Sequence, residues 1–148
     1  MQKYRSLIQN VSPQICLLHR IFEQKIGLKY YEDVLKRIPR KEIDLYHKKL
    51  SSIFEKVKNK NSTFEIVGSY RRGALDSGDI DIIISDPSDS REVFNKFLDE
   101  LISKKILIEV LSRGDVKSLG ISKLPRKPAR RIDFMFTPKK EFTFAMLY

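Results

Sequence analysis

The sequence is poor in the residues that hold small secreted proteins together. Cys16 is the only cysteine in 148 residues, so no internal disulfide forms and no zinc site can be built around it. That usage suits a reducing compartment. No stretch nears the roughly 20 apolar residues of a membrane-spanning helix. The opening residues, MQKYRSLIQNVSPQ, hold no unbroken apolar run, which argues against a signal peptide. No internal repeat or low-complexity tract is found. The chain reads as intracellular, with no membrane partner.

Acidic residues are scarce beside basic ones. Against 29 Lys and Arg stand 19 Asp and Glu, for a net charge of +10. That excess favours a polyanion, either nucleic acid or an anionic membrane surface. Many lysine-rich proteins bind neither, so charge alone decides nothing. Its distribution says more. Residues 1–60 and 121–148 are basic, whereas 61–120 are net acidic. An acidic patch inside a basic chain is explained if divalent cations bridge its carboxylates to phosphates. Glu92, Asp99 and Glu100 read instead as solvated surface acids.

Length predicts one compact domain with a real core. Residues 1–39 read as helical, with Pro13 as a break or first-turn residue. Arg40 to Lys60 gives the clearest helix, since Ile43, Tyr46, Leu50, Ile53, Phe54 and Val57 share one face. Lysines 48, 49, 56, 58 and 60 read as a solvated face. His19 and His47 fall on predicted helices and take no catalytic role; Tyr30 and Tyr31 read as helix packing. Alternation predicts strands at 63–67, 79–85, 106–112, 116–121 and 131–137. A helix over 90–104 has Ser90 as N-cap, and another begins near Glu141. The order indicates an α+β domain, a mixed sheet backed by helices with a helical segment before it.

Successive side chains on a strand point to opposite faces. Asp79 and Asp81 therefore share a face, and Ile80, Ile82 and Ile84 share the other. In RIDFMFT, Arg131, Asp133 and Met135 oppose Ile132, Phe134 and Phe136. If these strands are neighbours, three carboxylates project together. Such a cluster repels itself and is usually relieved by cations. Two Mg2+ ions about 4 Å apart could clamp an in-line phosphoryl transfer. A lone Asp-x-Asp is a weak signal, but this one follows VGSYRRGALDSG. Gly68 and Ser69 leave a strand and open a short helix whose amides favour an anion. Arg71 or Arg72 would face that anion and the other would be structural. Lys123, Arg126, Lys127 and Arg130 precede the last strand and are candidates for contacts to a polyanion.

GSYRRGALDSGDIDIII resembles the signature of family X DNA polymerases, the polymerase beta-like branch of the nucleotidyltransferases. IGLKYYEDVLKRIPRKE, ISKLPRKPARRIDFMF and PKKEFTFAMLY resemble further segments of that family. The resemblance runs from about Ile26 to the end. It implies that Asp79 and Asp81 bind two magnesium ions, with manganese as the alternative. It implies that Asp133 binds the catalytic ion and activates the primer hydroxyl. Arg37, Gly68, Ser69, Arg72 and Gly78 would hold the incoming dNTP, with Tyr148 beside its sugar. Arg131 would lie near the primer terminus, and the polyanion met by Lys123, Arg126, Lys127 and Arg130 would be a DNA backbone. The implied reaction adds dNMP to a DNA 3′-hydroxyl, as in gap-filling repair or end joining, in the nucleus of a eukaryote or otherwise in the cytoplasm. Residues 1–39 are expected to match the end of the fingers and 40–148 the palm, stopping where a thumb would start. A thumb absent or supplied separately leaves one alternative, a non-catalytic palm that binds DNA or a partner; another is a transferase for a different acceptor, against which GSYRRG and RRIDF argue.

Overall fold

The computed structural model describes residues 13–147. The chain runs α1 (Pro13–Leu35), β1 (Ile38–Pro39), α2 (Arg40–Val57), β2 (Thr63–Ile66), β3 (Asp76–Ser77), β4 (Ile80–Ser85), α3 (Glu92–Ser103), β5 (Leu107–Arg113), β6 (Lys117–Ser122), β7 (Arg130–Phe136) and α4 (Lys139–Met146). This is the α+β architecture expected, a mixed sheet backed by helices.

Pro13 is the first residue of α1, where its missing N–H costs nothing. Residues 30–35 continue that helix without a break. At α3 the Ser90 hydroxyl accepts a 3.3 Å bond from the Glu92 amide, so it tends the helix start from one residue before the cap position.

The main sheet has five strands in the order β2-β4-β7-β6-β5. β4 and β7 lie parallel at its centre, and every other pairing is antiparallel. Helices α2 and α3 cover one face. Their buried residues Ile43, Tyr46, Leu50, Phe94, Phe97 and Leu98 join Ile80, Ile82, Ile84, Ile132 and Phe134 in one core. Phe97 ties the layers, meeting Phe54 edge-on at 5.3 Å and Phe134 at 6.1 Å. A smaller cluster joins Ile26, Tyr30 and Val34 of α1 to Ile121 and Ala129. Ile121 pairs with Arg131 across β6 and β7, so α1 covers part of the opposite face.

A two-stranded ribbon was not expected. Ile38–Pro39 pairs antiparallel with Asp76–Ser77. Ile38 is wholly buried in the main core, which pins the segment before α2 beside the segment before β4.

Candidate active site

The alternation in β4 and β7 comes through as expected. Along β7, Arg130, Ile132, Phe134 and Phe136 are buried, while Arg131 is exposed and Asp133 and Met135 are half-buried. The two strands are parallel neighbours with Asp81 directly beside Asp133. Asp79 stands just before β4, two residues from Asp81 and so on the same side. The structure brings the three aspartates together: one carboxylate oxygen from each lies within 4.8 Å of the others.

Electrostatics mark this as an unbalanced cluster. Partial burial pushes the Asp81 carboxyl up to about 6, and the charges of Asp79 and Asp133 push the same way. Burial also raises Asp133, partly opposed by Arg131, whose Nε donates to its carboxylate at 3.5 Å. Lys117 lowers both. It pairs with Met135, on the aspartate side of β6, and lines a recess of about 50 Å³ with Val67, Asp81 and Asp133. Sequence reasoning missed Lys117. Alternation in KSLGIS fixes only which of its residues share a face, and the register with β7 decides which face that is. The donor set suits a hard divalent cation, since three close carboxylates offer oxygen ligands and a charge that a cation would relieve.

The turn after β2 abuts this cluster. The Val67 amide donates to the Asp81 carbonyl at 2.8 Å. Gly68 has φ +70°, and a Cβ there would sit 2.8 Å from Asp81 Oδ2. Only glycine meets both demands. The short helix expected at Gly68-Ser69 is a compact turn with no α-helix assigned over 68–73. It is closed by bonds from the Arg72 amide to Gly68 at 3.3 Å and from the Ala74 amide to Ser69 at 3.0 Å. Gly73, at φ +88°, ends it before a full helix can propagate.

The ribbon then gathers the other phosphate candidates. Ser69 Oγ donates to Ser77 Oγ at 2.7 Å. Arg37 donates to the Asp76 carboxylate at 2.7 Å, in a pair exposed on both sides and so weakly held. A Cβ on Gly78 would meet Arg37 Nη1 at 3.2 Å. Arg37, Ser69 and Gly78 thus flank one turn although 41 positions separate the first from the last. Arg40 was also missed. Its Nη1 donates to the Tyr70 and Ala74 carbonyls at 2.7 and 3.2 Å, and its guanidinium lies 4.3 Å from the Tyr70 ring. Arg40 is the brace of the turn. Arg71 donates to the Met146 carbonyl at 3.3 Å, tying α4 to the turn, which suits the structural one of the two arginines. Arg72 is exposed. Tyr148 lies outside the described residues.

A family model for the DNA polymerase beta palm matches residues 37–139. The chain belongs to family X of the DNA polymerases, as a palm. Among its relatives are the DNA polymerases lambda of Rattus norvegicus, 33% identical over 85% of this chain, and of Arabidopsis thaliana, 30% identical over 84%. The DNA nucleotidylexotransferase of Gallus gallus is 31% identical over 84%. The chain spans 23%, 26% and 22% of their respective lengths.

In this family X palm the basic residues expected to touch DNA separate into two kinds. Lys123, Arg126, Lys127 and Arg131 are exposed. Arg130 is not available: it is 3% exposed and donates to both Glu42 oxygens at 2.9 and 2.7 Å. Its third nitrogen donates to the Lys36 and Arg37 carbonyls. Arg130 locks α2 and the Arg37 segment to β7. No local pattern could reveal this, because Glu42 lies 88 positions away. Among the described residues no helix is long and apolar enough to cross a membrane.

Proposed function

We propose that this chain is the catalytic palm of a DNA-directed DNA polymerase, over 40–148 with a helical segment before it. It would transfer dNMP from a dNTP to a DNA 3′-hydroxyl and release pyrophosphate. The observation that carries this reading is the convergence of Asp79, Asp81 and Asp133 beside the Gly68-Ser69 turn.

Asp79 and Asp81 would hold two magnesium ions, or manganese, and Asp133 would hold the one nearer the primer. When bound, such ions lower the pKa of the attacking hydroxyl and offset the charge that builds on the leaving group. The chain's own residues do the rest. Ser69, Gly78, Arg37 and Arg72 bind the triphosphate, Arg37 by exchanging its exposed Asp76 partner for phosphate oxygens. Gly68 keeps the backbone clear of Asp81. Asp133, whose carboxyl burial raises from its ordinary value, takes the primer hydroxyl proton on a carboxylate oxygen. The freed 3′-oxygen bonds to the α-phosphorus, and the bond from that phosphorus to the bridging oxygen of pyrophosphate breaks. Arg131, held at Asp133, would lie near the primer terminus. Lys123, Arg126 and Lys127 would touch DNA phosphates. The process is gap filling or end joining, in the nucleus of a eukaryote or otherwise in the cytoplasm.

Incubation with gapped DNA, labelled dNTPs and magnesium, beside an Asp133→Ala variant, tests the reading. Incorporation by the native chain and its loss in the variant are expected. Labelling of RNA or protein instead would sink the DNA assignment. DNA binding with no incorporation would support a second reading, a palm that binds without catalysis.

A further inference from the structure

A second charged region lies away from the aspartates. Lys48 and Lys49 of α2 line a groove of about 420 Å³ with Leu45, Leu124, Pro125 and Lys127. A neighbouring groove of about 350 Å³ is lined by Lys49, Lys104, Lys105, Lys123 and Arg126 over Ile106 and Ile108. Lys49, Leu124 and Pro125 belong to both, so the two are one continuous surface. It draws on three separate parts of the chain: α2, the end of α3, and the loop before β7. Neither groove is lined by a carboxylate.

That composition differs from an ordinary solvated lysine face. Elsewhere on the helices, lysines sit beside acids: Lys58 pairs with Glu55 at 3.1 Å and Lys96 with Glu92 at 2.7 Å. Here seven cations line the surface and none of the described lining residues is acidic; Asp33, which feels the charge of Lys123, sits outside both grooves. Arg126 holds its place at φ +62°, a conformation uncommon for a residue with a side chain. The floor is apolar, and Leu45 remains 48% exposed. Helices α2 and α3 pack on the sheet face opposite the aspartates, so DNA positioned for chemistry meets this surface only through the loop of Lys123, Arg126 and Lys127 and leaves Lys48, Lys49, Lys104 and Lys105 unfilled.

We propose that this surface is a second DNA site, which grips the phosphate backbone of duplex away from the reacting end. It rests on the polymerase reading and extends it. Each lysine–phosphate contact releases a condensed counterion, so the site adds affinity without sequence preference and with strong salt dependence. A palm gripping on two sides would favour long duplex over short.

The test is fluorescence anisotropy of labelled duplexes of about 12 and about 40 base pairs with the whole chain over a salt series. The Lys49→Glu, Lys105→Glu double variant is compared with a Lys56→Glu, Lys60→Glu double of equal charge. The patch variant should lose about tenfold in affinity for the long duplex and much less for the short one. Its slope of log K against log salt should fall by roughly 2. Matched Lys→Gln doubles, with circular dichroism, separate charge from misfolding. Equal losses in the two doubles, or equal losses on both duplexes, would overturn the proposal. So would a polyglutamate peptide that binds as tightly with the same dependence on Lys49 and Lys105. Incorporation by the native chain with unchanged binding by the patch variant defeats the second site and leaves the polymerase reading standing. Patch-dependent binding with no incorporation does the reverse.

Discussion

The two faces of the central strands respond oppositely to burial. On the helix-covered face, Ile80, Ile82, Ile84, Ile132 and Phe134 are at most 1% exposed, and each such side chain contributes about 1.5–3 kcal/mol. One residue along the same strands, Asp81 and Asp133 are half-buried, and burial is the largest cause of their raised pKa values. The apolar face stabilises the fold, while the aspartate face draws on that stability to hold carboxylates where water would not gather them. Strain of this kind is typical of a functional site. The difference is open to attack from either side.

The largest effect is expected at Asp133. Asp133→Asn keeps the shape and removes the charge. Incorporation should fall roughly a thousandfold, about 4 kcal/mol of barrier, with no loss of melting temperature. Single-turnover kinetics beside a thermal melt would show it. A variant that melted well below the native chain would make Asp133 a structural residue and erase the contrast.

Phe97→Ala tests the other face. It removes the ring that bridges Phe54 and Phe134 and should cost about 3 to 4 kcal/mol in urea unfolding. Incorporation per folded molecule should remain at low urea. A smaller effect belongs to Gly68→Ala, where the faces meet. The methyl would press on Asp81 Oδ2 in a left-handed backbone, for about 2 kcal/mol of stability. Here activity should fall with stability, because the displaced group is itself in the site. Retained activity would show that the turn and Asp81 are less tightly coupled than their geometry implies.

The faces were legible in sequence because alternation is a local signal. Asp79, Asp81 and Asp133 could be assigned to faces from a few residues each, and the isoleucines and phenylalanines between them marked the core. Whether β4 and β7 were neighbours was not local; it was an assumption that the parallel register of Asp81 with Asp133 then met. The β1–β3 ribbon is two residues long on each side, too short to alternate, so the device that sets Arg37 beside Gly78 left no pattern. Arg130 misled for a related reason. In KLPRKPARR it looks like its neighbours, and only the fold supplies Glu42.

Asp81 gives the smallest effect and the most direct measure of the strain. Its carboxyl titrates at about 6 in the fold, against 3.8 for an ordinary aspartate. Without divalent ions, the folded chain holds this proton over a range where the unfolded chain has released it. Stability from Asp81 is therefore fully present below about pH 4 and is lost as pH rises through about 6. At full weight the shift corresponds to about 3 kcal/mol, but the carboxylate is partly exposed and screened, which leaves about 1 kcal/mol. Asp81→Asn removes the titrating charge. In chelator at pH 7 it should melt slightly higher than the native chain, and the two curves should converge near pH 4. Magnesium should raise the native melting temperature and leave that of the variant nearly still. If Asp81→Asn instead lowers stability at pH 7, the aspartate face is held by its own interactions, and the division between a stabilising and a strained face does not stand.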